Sequence, residues 1–140
     1  MANARLSDRI TSSVKRSIGK AQLQMKILLV DDNVEMRRLL KSMIGKIADE
    51  IHEASDAVEA VAVYRAVHPD WVLMDISMKP RNGLMAAAAI KSLDSGARIV
   101  FVSSHTDKRT RQAAQNAGGD AFFGKDDLLS LLEFLKSLRT

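Results

Sequence analysis

The sequence predicts an open α/β fold, a doubly wound parallel sheet with helices on both faces. Three observations carry that prediction. Short, continuous apolar runs recur at 26–30, 50–54, 71–74, 98–102 and 121–123. Longer stretches with helical apolar spacing follow them at 34–47, 56–67, 84–93, 107–117 and 127–138. The 140-residue length suits one domain with one core. Strands that are apolar throughout need cover on both faces, as parallel sheets have. Five strand–helix units in alternation close as right-handed crossovers.

The elements follow in order. The first strand runs through "ILLV" and stops at Asp31-Asp32-Asn33. A helix begins near Val34, and the second strand spans 50–54. The next helix ends at His68, ahead of Pro69, because the residue before a proline is steered away from the helical region. Strand three, "DWVLMD", ends at Asp75, strand four, "RIVFVSS", at Ser103, and strand five, "AFFGK", at Lys125. No internal repeat or low-complexity tract appears after residue 25.

The first 24 residues differ in kind. They carry five basic side chains against Asp8 alone, while the remainder carries sixteen of each sign. The net charge of +4 therefore belongs to this segment and not to the globular body. The chain divides into a basic, flexible leader, 1–24, and a folded domain, 25–140. Leu6, Ile10, Val14 and Ile18 recur every four residues, so an amphipathic docking or membrane-surface helix is an alternative to a disordered tail. A Ser- and Arg-rich, acid-poor composition also has the character of a transit peptide. Met25, directly before "KILLVDD", reads equally as a start. The absence of cysteine excludes disulfides and thiolate metal sites and fits a cytoplasmic setting. No apolar run approaches the ~18 residues of a membrane helix.

In an open α/β sheet, ligands bind beyond the carboxyl ends of the strands, where the strand order reverses. Asp31, Asp32, Asp75, Ser103 and Lys125 all fall at such ends. Three carboxylates at one rim repel each other unless a cation joins them, and oxygen ligands of this kind suit Mg²⁺. A metal, an ammonium and a hydroxyl around one free carboxylate make a site for a phosphoryl group, with the carboxylate as nucleophile. Taken singly, each residue has a plainer role. Asp31 and Asp32 read as an N-cap pair, Asp75 as a turn cap, Ser103 as a loop hydroxyl and Lys125 as a surface charge. Their succession at strand ends favours the joint reading. His52, His68 and His105 are scattered without metal-ligand spacing. His105, two past Ser103, reads as a loop residue near the mouth of the site, with tuning of phosphoryl lifetime as the sharper option.

These motifs, "LLVDDN", "PDWVLMDISM" followed by "NG", "FVSSH" and "AGGDAFFGK", resemble the receiver domains of two-component response regulators, from about Lys26 to Leu138. The resemblance implies a flavodoxin-like sheet of order 2-1-3-4-5 and a magnesium-dependent phosphoreceiver, not an enzyme with a separate substrate. It implies Asp75 as phosphoacceptor, Asp32 as direct Mg²⁺ ligand and Asp31 as the second acidic residue. It implies the Ser77 carbonyl as a further metal ligand, Lys125 as partner of the phosphoryl group, and Ser103 and Phe122 as the switch pair. Gly83 fits the glycine after the acceptor loop. The implied partners are a sensor histidine kinase or phosphotransfer protein, and an output protein or second copy docking on helix four, strand five and helix five. Three departures stand out. Lys79 separates Met78 from Pro80, Asp126 takes the place of a proline after Lys125, and Ala57 stands where glycine is frequent. The Lys-Asp pair and "SSHTD" look like the subgroup that carries DNA-binding effector domains.

A stand-alone receiver acting by protein contact is the leading expectation. The alternative is the receiver half of a DNA-binding regulator whose effector lies outside this chain. An aspartyl-phosphate phosphohydrolase is a minor third, since those enzymes resemble D-x-D after strand one and here Asn33 takes the second position. No glycine-rich phosphate loop follows any strand, so nucleotide binding is set aside. No recognition helix is present to read DNA, and specific nucleic-acid binding is not expected.

Overall fold

A computed structural model describes residues 25–78 and 82–139. Expectations for 1–24 and for Lys79 lie outside the described residues. The described chain forms β1 (Lys26–Val30), α1 (Val34–Ile44), β2 (Glu50–Ala54), α2 (Ala57–Val67), β3 (Trp71–Asp75), α3 (Gly83–Leu93), β4 (Ile99–Ser103), α4 (Lys108–Asn116), β5 (Ala121–Gly124) and α5 (Leu128–Ser137). The strands make one sheet of order β2-β1-β3-β4-β5, and every pairing is parallel.

Burial explains why the central strands read so plainly. Every residue of β3 and β4 is buried, as are Ile27 to Val30 of β1. One face packs Leu28, Val72, Met74 and Phe101 against Ala57, Ala60 and Tyr64 of α2, Ala86 and Ile90 of α3, and Ala114 of α4. The other packs Ile27, Leu29, Leu73 and Val100 against Leu40 and Ile44 of α1 and Leu131 and Leu135 of α5. The two faces are therefore unequal, with three helices on one and two on the other.

Each helix starts on an Asn or Asp side chain that accepts a backbone N–H three residues on: Asn33, Asp56, Asn82, Asp107 and Asp127. The cap of α1 is thus Asn33, not Asp31 or Asp32, which leaves both carboxylates for other work. α1 ends at Ile44, short of the expected 47, because a turn at Gly45 carries Ile47 back into the core. His68 does end α2, as its C-cap, in the left-handed region at φ 46°. Ala57 sits at the first turn of α2 with no positive φ, so alanine is accommodated there.

Candidate functional site

The strand order reverses at β1, whose two neighbours lead in opposite directions, and the crevice at its carboxyl end is the place for a ligand. Register decides which side chains meet there. Val30 pairs with Met74, so Asp31 and Asp75 stand one step further, side by side. Val102 pairs with Asp75, and Ser103 with Gly124, so Ser103 and Lys125 close the same rim. One oxygen each of Asp31, Asp32 and Asp75 lies within 4.8 Å of the others. Asp31 and Asp75 are buried, whereas Asp32 is exposed.

Lys125 holds the two buried carboxylates together. Its Nζ lies 3.1 Å from Asp31 Oδ2 and 3.1 Å from Asp75 Oδ1. Burial pushes the Lys125 ammonium down, but the Asp75 and Asp31 carboxylates outweigh burial and hold it above its ordinary value. Burial pushes the Asp75 carboxyl up, and the Asp31 charge adds to the shift. Lys125 and the Ser77 N–H, which donates to Asp75 Oδ1 at 3.3 Å, oppose it without cancelling it. One ammonium therefore does not compensate the cluster. A hard divalent cation that takes few protein carboxylates fits this donor set, with Asp32 as its solvent-facing oxygen.

The rest of the rim is ordered by the backbone. The Asn33 N–H donates to Asp31 Oδ1 at 2.9 Å. The Lys125 N–H donates to the Ser103 carbonyl at 2.8 Å, which fixes the lysine's root to β4. Ser103 is fully buried, and its Oγ accepts the His105 N–H at 3.0 Å. Gly83 begins α3 directly behind Asp75, and a Cβ there would overlap the Asp75 carbonyl oxygen. Ser77 is exposed in the loop after Asp75, and Asp126 is exposed beyond Lys125. Phe122 on β5 is half-buried, with the Arg111 guanidinium 4.7 Å from its ring centre.

Every residue the sequence singled out for the rim therefore lies at the rim or on a strand leading to it. Arg37 escaped the sequence reading, and Arg111 entered it only as part of the basic start of the fourth helix. Arg37 of α1 donates from Nη1 to the Asp31 carbonyl at 2.7 Å and from Nε to Glu53 Oε1 at 3.1 Å. Arg111 of α4 donates to the Thr106 carbonyl at 2.9 Å while covering Phe122. Both reach between elements, which linear spacing does not reveal. The histidines take no part in a metal cluster among the described residues.

Comparison with known proteins agrees with this geometry. The family model described as the response regulator receiver domain matches residues 27–136. Chemotaxis protein CheY of Halobacterium salinarum is 38% identical over 99 residues, 71% of this chain and 82% of that protein. Chemotaxis protein CheY of Thermotoga maritima is 37% identical over 101 residues, 71% of this chain and 84% of that protein. Among solved structures, the CheX–CheY–BeF3–Mg complex of Borrelia burgdorferi matches with a TM-score of 0.76 at 25% identity, over 83% of this chain and 90% of that one. A parallel sheet of order 2-1-3-4-5, carboxylates and a lysine gathered at its carboxyl edge, and a family match across almost all of the described residues lead to one conclusion: this chain belongs to the response regulator receiver domains of two-component systems.

Proposed function

We propose that the chain is a phosphorylation-dependent switch of a cytoplasmic phosphorelay, accepting a phosphoryl group on Asp75 from a histidine kinase or phosphotransfer protein. The observation that carries this reading is Lys125 bridging Asp31 and Asp75 inside a cluster of three carboxylates at the strand-order reversal. An Asp75 oxygen attacks the phosphorus in line and forms an acyl phosphate. The phosphorus–nitrogen bond of the donor's phosphohistidine breaks, and its electron pair stays on the imidazole. Asp32, Asp75 and the Ser77 carbonyl would hold Mg²⁺, with Asp31 behind them. When bound, the ion supplies positive charge against the phosphoryl oxygens.

Lys125 has three N–H donors, so it can give one to a phosphoryl oxygen and keep its hold on Asp31. The Ser103 hydroxyl, which already accepts from the His105 N–H, retains its own proton to donate to the phosphoryl group. That new bond favours the state in which Ser103 has moved toward Asp75, and half-buried Phe122 then takes up the space released. Output follows by protein contact on α4, β5 and α5, where the ring and its arginine cover reach the surface.

The test is intact mass after treatment with acetyl phosphate and Mg²⁺, on the native chain and on Asp75→Asn. One phosphoryl adduct on the native chain and none on the variant is the expected result. An adduct that survives the substitution at native yield defeats the proposal.

A further inference from the structure

Asp32 is the exposed member of the carboxylate cluster, so burial does not fix its position. Its two flanking peptides are fixed instead. The peptide before it carries the Asp31 carbonyl, which accepts from Arg37 Nη1 at 2.7 Å. The peptide after it carries the Asn33 N–H, which donates to Asp31 Oδ1 at 2.9 Å. A residue with both neighbouring peptide planes held has little freedom in φ and ψ, so the direction of its Cα–Cβ bond is set.

Arg37 is itself anchored. Its Nε lies 3.1 Å from Glu53 Oε1 on β2, and the Arg37 side chain is 17% exposed. Lys41, one turn further along α1, reaches the other Glu53 oxygen at 3.3 Å. Burial pushes the Glu53 carboxyl up, but the hydrogen bonds from Arg37 and Lys41 prevail and hold it below its ordinary value. Glu53 is therefore a charged anchor, and Arg37 spans from it on the edge strand to the end of β1.

We infer that Arg37 is a positioning residue for the cation site, fixing the backbone of Asp32 through the Asp31 carbonyl with Glu53 as its anchor. This rests on reading the carboxylate cluster as a Mg²⁺ site. The role has a sign that charge alone does not share. A guanidinium beside three carboxylates competes with a divalent cation, so if its charge were all that mattered, neutralising it would tighten Mg²⁺ binding. If it positions Asp32, neutralising it loosens binding.

The test uses the full chain as Arg37→Met, Glu53→Gln and the double variant. Mg²⁺ affinity is read by titration calorimetry, and amide exchange at Asp32 and Asn33 is read without metal. We expect Arg37→Met to raise the Mg²⁺ Kd by about tenfold, as loss of an outer-shell partner does. Glu53→Gln shifts it the same way by less. The double variant is no weaker than Arg37→Met, because both changes break one chain of contacts. The Asp32 and Asn33 amides exchange faster in Arg37→Met. An unchanged or tighter Kd overturns the inference. Should Arg37→Met fail to fold, Glu53→Gln carries the test, and an unchanged Kd there overturns it equally. Should the native chain bind no Mg²⁺ at millimolar concentration, the cation-site reading fails on its own. Exchange in the metal-free protein then decides for or against the clamp, with unchanged rates at both amides counting against it.

Discussion

Burial pushes the Asp75 carboxyl above its ordinary range, and the Asp31 carboxylate beside it pushes the same way. A carboxyl whose folded value is raised binds its proton more tightly in the folded protein. The stability it contributes is therefore complete below the unfolded value near 3.9 and is lost as pH rises through the folded value. At neutral pH the ionised group is held against its preference. Asp75→Asn should accordingly raise the melting temperature of the metal-free protein at pH 7, and the gain should shrink as pH falls toward 4; a lower melting temperature at pH 7 would contradict this. Asp49 runs the other way. The Arg139 guanidinium and the Met25 N–H hold its carboxyl below the ordinary value, so its contribution is present above the unfolded value and fades in acid. Asp32 differs from both in being exposed. Asp32→Ala should abolish phosphorylation by acetyl phosphate with the circular dichroism melt nearly unchanged. Native phosphorylation kinetics in that variant would remove Asp32 from the site.

At the scale of elements, a close fit lies where α3 begins. Gly83 donates its N–H to the Ile76 carbonyl at 2.9 Å, and a Cβ on Gly83 would meet both the Asp75 carbonyl and the Met74 side chain. Gly83→Ala should destabilise the domain by about 1–3 kcal/mol, the usual consequence of forcing volume into a packed contact. A denaturant midpoint would measure it. The same substitution should slow phosphorylation, because the overlap falls on Asp75 itself. Elements were legible in the sequence to the extent that burial is two-sided. β3 and β4 are buried at every position, so they stand out as unbroken apolar runs. The end of α1 was less legible, since Ile47 continues the apolar spacing although it is buried from a turn and not from the helix. The rim was legible because parallel strands deliver their last residues to one edge, and Asp31, Asp75, Ser103 and Lys125 needed only their order. Asn33 as the cap of α1 was missed in favour of the aspartates before it, and that choice turns on backbone angles. Arg37 was hidden because it makes its contacts across elements, whereas Arg111 stood out only as part of the basic start of α4 and its cover of Phe122 did not.

Across the whole molecule, the site and the proposed output face occupy different parts of the sheet. The carboxylate cluster lies at the ends of β1 and β3, with Lys125 reaching it from the end of β5, whereas Phe122, Arg111 and the basic start of α4 at Lys108 and Arg109 flank the β5 edge. A small shift of Ser103 is readable to a partner only where it reaches the surface. Beryllofluoride with Mg²⁺ should therefore change amide exchange within residues 104–126 more than within α1 (Val34–Ile44). Changes concentrated in 34–67 would move the output face elsewhere. A chain beginning at Met25 should be phosphorylated like the full one, since residues 1–24 hold none of the rim residues. Failure of a folded, shortened chain would give the leader a part in the site. The opposite edge of the sheet has its own fastening. Asp49 accepts from the Met25 N–H at 2.7 Å and from Arg139 at 2.6 Å, and Arg139 also reaches the Ile47 carbonyl at 2.9 Å. The start of β1 and the segment just past α5 are thus tied to the same carboxylate, a full strand length from the carboxylate rim. Such an arrangement lends itself to circular permutation. A short linker from Arg139 to Met25, with new ends opened at the exposed Gly96 turn, should leave the rim undisturbed. Cargo fused at those new ends would ride on the far side of the sheet from the chemistry.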